Sequence, residues 1–214
     1  MLKDIKGAIF DLDGTLIDSM WVWEQIDINY LSSKGIPVPS NLKDEIGHLS
    51  FEQTAIYFKS KFKLEDSIET ILNTWNSMAY NFYSNKVSLK PGVLPFLNYL
   101  QKLGIKIALA TSNNKILLET VLKSNGIYDY FDAITTTDEA KLNKSNPDVY
   151  LLAASRLGVS PKDCIVFEDI LEAVRGAKLA NMKVIAVYDK SSEYQRDKLV
   201  LEVDKYIYNF NEIL

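Results

Sequence analysis

The sequence predicts an α/β protein, a three-layer, Rossmann-like parallel-sheet core interrupted by an inserted four-helix bundle. Three observations lead there. A short apolar run, Ile5 to Phe10, stops abruptly at turn-forming residues and reads as a buried strand. From about residue 88 onward, runs of strand length alternate with helical periodicities, the pattern of a parallel sheet covered by helices. Between about 20 and 84 the pattern is helical, with no convincing strand.

The elements follow in order. Residues 20–34 place Val22, Ile26, Tyr30 and Leu31 near helical spacing, and Gly35 and Pro37 end the run. Ser40 can cap a short helix that stops at Gly47. Ser50-Phe51-Glu52-Gln53 is a capping box and opens a third helix. Asp66 or Ser67 opens a fourth, with Ile68, Ile71, Leu72, Trp75, Ala79 and Phe82 at helical spacing. Helices are then expected over 91–103, 114–125, 147–157, from about 169 to 180, and more weakly over 192–202. Gly104, Gly126 and Gly158 close the first three of these, and Asn181 suits a left-handed cap. Strands are expected over 105–110, 131–135, 165–167, 183–187 and 206–208. The core is therefore discontinuous, 1–17 plus 86–214, with the bundle at 18–85 and hinges near Asp18 and Asn85.

Composition narrows the class. With 214 residues, 47% hydrophobic and 24% charged, the chain can bury a substantial core. A net charge of −4 leaves no electrostatic footprint for nucleic acid. The single cysteine, Cys164, forms no internal disulfide and sits in an apolar run, as a small buried hydrophobe would. No stretch approaches the roughly 18 apolar residues of a membrane span. The N-terminus carries no signal pattern, so a cytoplasmic location is expected, and nothing demands more than a monomer.

The polar residues with chemical potential fall at strand ends. Asp11 and Asp13 follow the first strand, with Gly14 and Thr15. Carboxylates at the end of a buried strand are costly unless a cation meets them. That edge is also where open α/β sheets bind ligands. An Asx-turn accounts for Gly14 and one aspartate, but not for all four residues. Thr111 and Ser112 end the second core strand, where a hydroxyl and helix-terminal N–H groups serve equally for capping and for holding an anion. Asn146 and Pro147 are explained as helix cap and first helical residue, whereas Lys144 just before them is not; Lys141 is the fallback cation. Glu168 and Asp169 end another strand. Asp11 and Asp169 suit direct ligation of Mg²⁺, which prefers oxygen donors. Without a cation these acids repel one another and one stays protonated.

The stretch from Ala8 to Ser19 resembles motif I of the haloacid dehalogenase superfamily in its phosphatase form, Asp-x-Asp-Gly-Thr. The resemblance extends over the whole chain. Thr111 and Ser112 match motif II, which holds the phosphoryl group. Lys144 stands four before Asp148 as in motif III, although Ser145 replaces the usual first proline. Glu168-Asp169 matches motif IV, with Ile170 and Ala173 departing from the usual Ser and Gly. The helical insertion matches a C1-type cap. The resemblance implies Asp11 as nucleophile through an aspartyl-phosphate and Asp13 as acid and base. It further implies Mg²⁺ held by Asp11, Asp169 and the Asp13 carbonyl, with Glu168 acting directly or through water.

The nearest pattern is the β-phosphoglucomutase-like group, whose cap loop corresponds here to Gly47 and His48 and selects substrate. True mutases of that group carry Lys and Arg around this loop. Ile46 to Phe51 has neither, and Trp23 stands where the mutase has a histidine. The expected function is therefore a Mg²⁺-dependent phosphatase of small sugar-phosphate-like monoesters. The alternatives are a phosphosugar mutase and a non-catalytic phosphometabolite-binding relative, the second of which would be expected to lose Asp11, Asp13 or the acid pair.

Overall fold

The computed structural model describes residues 2–46, Leu49 and 51–214, with backbone only for Lys43 and Asp44. The chain divides into two compact units, Met1–Ser19 with Val87–Leu214, and Met20–Lys86.

The first unit holds strands β1 (Gly7–Phe10), β2 (Ile17–Asp18), β3 (Ser88–Leu89), β4 (Lys106–Thr111), β5 (Ala133–Thr136), β6 (Cys164–Glu168), β7 (Lys183–Val187) and β8 (Lys205–Ile207). Six of them form one sheet in the order β5-β4-β1-β6-β7-β8, and every pairing in it is parallel. In its central strand, β1, Phe10 is in register with Leu109 of β4 and with Phe167 of β6. Because all strands run the same way, all their carboxyl ends lie on one edge. Asp11, Thr111, Glu168 and Asp169 stand on that edge by topology alone.

Side chains alternate across β1 and are buried on both faces, as expected of a parallel sheet between helices. Phe10 stacks on Phe167 with ring centroids 4.5 Å apart, and Phe96 and Phe210 complete a four-ring cluster on that face. Each such ring contributes about 1.5–3 kcal/mol by leaving water. Phe96 comes from helix α5 (Val93–Lys102) and Phe210 from a C-terminal 3₁₀ turn. Ile9 points the other way, into a cluster with Ala108, Val166, Val149, Ala153, Val174 and Ala177. The last four come from helices α8 (Asp148–Leu157) and α9 (Leu171–Leu179). Before α8 in sequence, α6 (Lys115–Ser124) and the short α7 (Thr137–Ala140) flank β5, and after α9, α10 (Arg196–Glu202) precedes β8.

Several boundaries differ from the periodicity. Helix α5 starts at Val93, not Pro91, because Gly92 takes a left-handed φ of 85° and a side chain there would meet the Asn211 N at 2.6 Å. The cap of α8 falls at Pro147, one residue later than expected, and the weak helix over 192–202 opens as a 3₁₀ turn over Lys190–Gln195. Strands β2 and β3 form an antiparallel ribbon, Ile17 opposite Leu89 and Asp18 opposite Ser88. Two residues a side are too short to leave a periodic signal. The ribbon brings residues 17–18 into the sheet unit, so the unit boundaries fall after Ser19 and after Lys86. Just past the ribbon, Lys90 makes a buried ion pair with Asp189 at 2.7 Å and donates to the Tyr188 carbonyl.

The second unit holds the helices α1 (Trp21–Ser33), α2 (Leu42–Ile46), α3 (Phe51–Lys61) and α4 (Ile68–Asn85). Trp75 of α4 is its centre, edge-on to Tyr30 of α1 and Phe58 of α3 at 5.8 and 4.9 Å. Ser67 caps α4 by accepting from the Thr70 N–H, which settles the choice between Asp66 and Ser67. Asp66 instead accepts from the Tyr30 hydroxyl at 2.6 Å and pairs with Lys34. Gly47, His48 and Ser50, and with them the expected capping box, lie outside the described residues. No described helix is long and apolar enough to cross a membrane.

Candidate active site

Asp11 is the first residue past β1, and its N–H still donates to the Phe167 carbonyl of β6 at 3.0 Å. This bond holds the Asp11 backbone against the strand that delivers Glu168 and Asp169. The chain then turns sharply, with Leu16 and Ile17 N–H groups both donating to the Leu12 carbonyl. Gly14 makes the turn possible with a φ of 84°, and it stands so close to Asp169 that a β-carbon would meet Cγ at 2.9 Å. Thr15, fully buried, donates to Asp169 Oδ1 at 3.4 Å.

Of the two candidate lysines, Lys144 is the one beside the acids. Its side chain is buried and its ammonium pairs with Asp11 Oδ1 and with Glu168 Oε1, the latter at 2.6 Å. Lys141 is exposed at the left-handed end of α7. The Lys144 loop is held without its usual proline by close packing on α9: a β-carbon on Gly176 would meet the Asn146 carbonyl at 2.8 Å and collide with the Lys144 carbonyl. Glycine at 176 is thus what lets the loop backbone approach the helix.

Oxygen atoms of Asp11, Glu168 and Asp169 lie within 4.8 Å of one another, all three residues buried. Glu168 Oε2 is buried with no hydrogen-bond partner among the described residues. An all-oxygen donor set with one uncompensated buried carboxylate oxygen fits a hard divalent cation. Asp169 is not absorbed by helix capping, since Ile170 holds the cap position of α9 and the Leu171 N–H is satisfied by Gln195 Oε1 at 2.8 Å.

The electrostatics follow from this crowding. Burial pushes Glu168 up to about 7, with Lys144 opposing and Asp11 adding to the rise. Asp169 is raised by burial and then by the charges of Asp11 and Glu168. Burial acts to lower Lys144, but the carboxylates beside it prevail and hold it above its ordinary value, so it remains a cation. Tyr150 is raised by burial and by Glu168, which keeps its hydroxyl protonated as a donor.

Asp13 has hydrogen bonds of its own. Its Oδ1 accepts from Ser19 Oγ at 2.7 Å and its Oδ2 from Asn113 Nδ2 at 2.8 Å. Thr111 is buried at the end of β4, and its Oγ1 accepts from the Asn113 N–H at 3.0 Å. Asn114, rather than Thr111, caps α6. Ser112 follows Thr111 on the same sheet edge. Trp23 belongs to the helical unit, about a third exposed, its ring edge-on to Phe51 at 5.4 Å. Gly47 and His48 are outside the described residues.

Four residues of this neighbourhood escaped the sequence reading: Ser19, Asn113, Tyr150 and Gly176. Tyr150 donates its hydroxyl to Glu168 Oε1 at 2.8 Å. Its position two residues after Asp148 was a usable signal, because a tyrosine on the buried face of a helix needs a partner for its hydroxyl.

Comparison with known proteins accords with this geometry. A family model described as haloacid dehalogenase-like hydrolase matches residues 8–187. A Bacillus subtilis (strain 168) protein provisionally assigned as a phosphatase is 34% identical over 193 residues, 87% of this chain and 84% of its own. Hexitol phosphatase B of Escherichia coli (strain K12) is 27% identical over 213 residues, 99% of this chain and 95% of its own. Among solved structures, a Thermotoga maritima protein provisionally assigned as a β-phosphoglucomutase superposes with a TM-score of 0.85 at 25% identity, covering 98% of this chain and 100% of that one.

Proposed function

The chain belongs to the haloacid dehalogenase-like hydrolase family, and on that footing we infer that it is a Mg²⁺-dependent phosphatase of small phosphorylated metabolites, sugar-phosphate-like monoesters above all. The observation that carries this is the buried Asp11–Lys144–Glu168–Asp169 cluster, with Asp13 beside it in a separate set of hydrogen bonds. The name of the hexitol phosphatase supports the sugar-phosphate class.

In this reading an Asp11 oxygen attacks phosphorus, the bond from phosphorus to the ester oxygen breaks, and the departing alkoxide takes a proton from Asp13. Water then attacks the aspartyl-phosphate and gives a proton back to Asp13, and the bond from phosphorus to the Asp11 oxygen breaks. Inorganic phosphate leaves and Asp11 is restored. Lys144 keeps the nucleophile oriented and neutralises charge on the phosphoryl oxygens, which Thr111 and the Ser112 N–H also bind. Asp11, Asp169, the Asp13 carbonyl and Glu168, directly or through water, hold Mg²⁺, which when bound supplies further charge neutralisation at the phosphoryl group. Ser19 and Asn113 orient Asp13. Choice of substrate within the class is assigned to the helical insertion, through Gly47, His48 and Trp23.

A phosphosugar mutase is the second reading, favoured by the likeness to the Thermotoga maritima structure. The segment Ile46 to Phe51 lacks the Lys or Arg that a second phosphate would need. One assay separates the two: a panel of phosphorylated metabolites, including β-glucose 1-phosphate with a bisphosphate primer, followed for inorganic phosphate with Mg²⁺ and with EDTA. The expected result is phosphate release from at least one sugar phosphate, lost in EDTA. Isomerised product with little net phosphate would establish the mutase instead.

A further inference from the structure

The two oxygens of Glu168 are treated unequally. Oε1 accepts from Lys144 Nζ at 2.6 Å and from Tyr150 Oη at 2.8 Å. Oε2, also buried, has no hydrogen-bond partner among the described residues. A carboxylate has about four acceptor positions, so placing both donors on one oxygen is a costly arrangement unless the other oxygen serves something else. Packing does not require it, because a phenylalanine ring would fill the same place among Val149, Ala153 and their neighbours in the core.

The two donors also differ. Lys144 is shared with Asp11 and comes from the loop before α8. Once it engages a phosphoryl group, its hold on Glu168 is divided. The Tyr150 hydroxyl comes from α8 itself, is fully buried, and its one described bond is to Glu168. The terminal torsion of a glutamate is broad and close to two-fold, so without a second fixed donor the carboxylate can rotate and exchange its oxygens.

We propose that Tyr150 is a positioning residue that fixes the Glu168 carboxylate by its Oε1, so that Oε2 is kept for a divalent cation or for water bound to it, and that Tyr150 thereby sets cation affinity. This rests on the reading that Asp11, Glu168 and Asp169 hold the cation. Partners that orient a ligating side chain typically change metal affinity by about 10–100-fold when removed.

The test is Mg²⁺ binding to the full-length protein without substrate, by calorimetry and by the Mg²⁺ dependence of the melting temperature. Tyr150→Phe keeps the ring and removes only the hydroxyl. It is expected to weaken Mg²⁺ binding by roughly tenfold or more. In a Glu168→Gln background the same substitution is expected to change the affinity by less than about twofold, since its route of action is already gone. An affinity within about twofold of wild type for Tyr150→Phe, whatever its melting temperature, overturns the proposal. So does an equal loss in the Glu168→Gln background, which would mean that Tyr150 acts elsewhere. If the wild-type protein binds no Mg²⁺, the cation reading fails and the role of Tyr150 fails with it, an outcome distinct from the other two.

Discussion

Asp11→Asn is expected to lower kcat on a phosphate monoester by about 10⁴-fold or more while the protein still folds. The amide keeps the shape and the backbone bond to Phe167, but it has no negative oxygen with which to attack phosphorus. No neighbour can substitute. Glu168 is held at Oε1 by Lys144 and Tyr150, and Asp169 is packed against Gly14 and bonded at Oδ1 by Thr15. Folding is preserved because Lys144 retains Glu168 as a partner and the mutual repulsion of the three acids is reduced. Steady-state phosphate release together with a melting curve checks both halves. Near-normal turnover would remove Asp11 from the chemistry, and a melting temperature far below wild type would mean that the lost activity reports unfolding.

Lys144→Met is expected to be the most destabilising substitution at the site, by about 3–5 kcal/mol in EDTA, because it leaves buried carboxylates without their cation. The effect has a definite pH dependence. Burial pushes Glu168 up to about 7 from its ordinary 4.5 even with Lys144 beside it, and raises Asp169 as well. A carboxyl whose pKa is higher folded than unfolded binds more protons when folded. Its contribution to stability is complete below the unfolded value and is lost as the pH rises through the folded one. Lys144 lowers both groups, so its removal extends that loss to higher pH. Urea midpoints should therefore differ most near about pH 8 and converge toward about pH 5. Mg²⁺ should recover part of the difference at the higher pH by replacing the missing charge. A pH-independent difference, or none, would contradict the electrostatic account of the cluster.

The parts of the architecture that were legible in the sequence are those written in local patterns. Gly7 to Phe10 shows as an unbroken apolar run because both faces of a central parallel strand are buried. The alternation after residue 88 fixes strands that all point one way, and that alone lines up Asp11, Thr111, Glu168 and Asp169 on one edge. Lys144 could be singled out because the adjacent Asn and Pro are explained by capping and the lysine is not. The β2–β3 ribbon was not legible, since two residues carry no period. Nor were contacts between residues far apart in the chain. Asn113 meets Asp13 across 100 positions and Lys90 meets the Tyr188 carbonyl across 98, and no local pattern records such a meeting. Gly176 departs from helix propensity, and the reason becomes visible only when the Lys144 loop is seen packed on it.

The central claim is that Asp11 carries the phosphoryl group between substrate and water. The most direct measurement is an acid quench of the wild-type protein during turnover of a reactive phosphate monoester with Mg²⁺, followed by peptide mass spectrometry. The account predicts a phosphoryl adduct on the peptide containing Asp11, removed by hydroxylamine and absent in Asp11→Asn. Continued turnover with no adduct on that peptide, or an adduct on another residue, would contradict it.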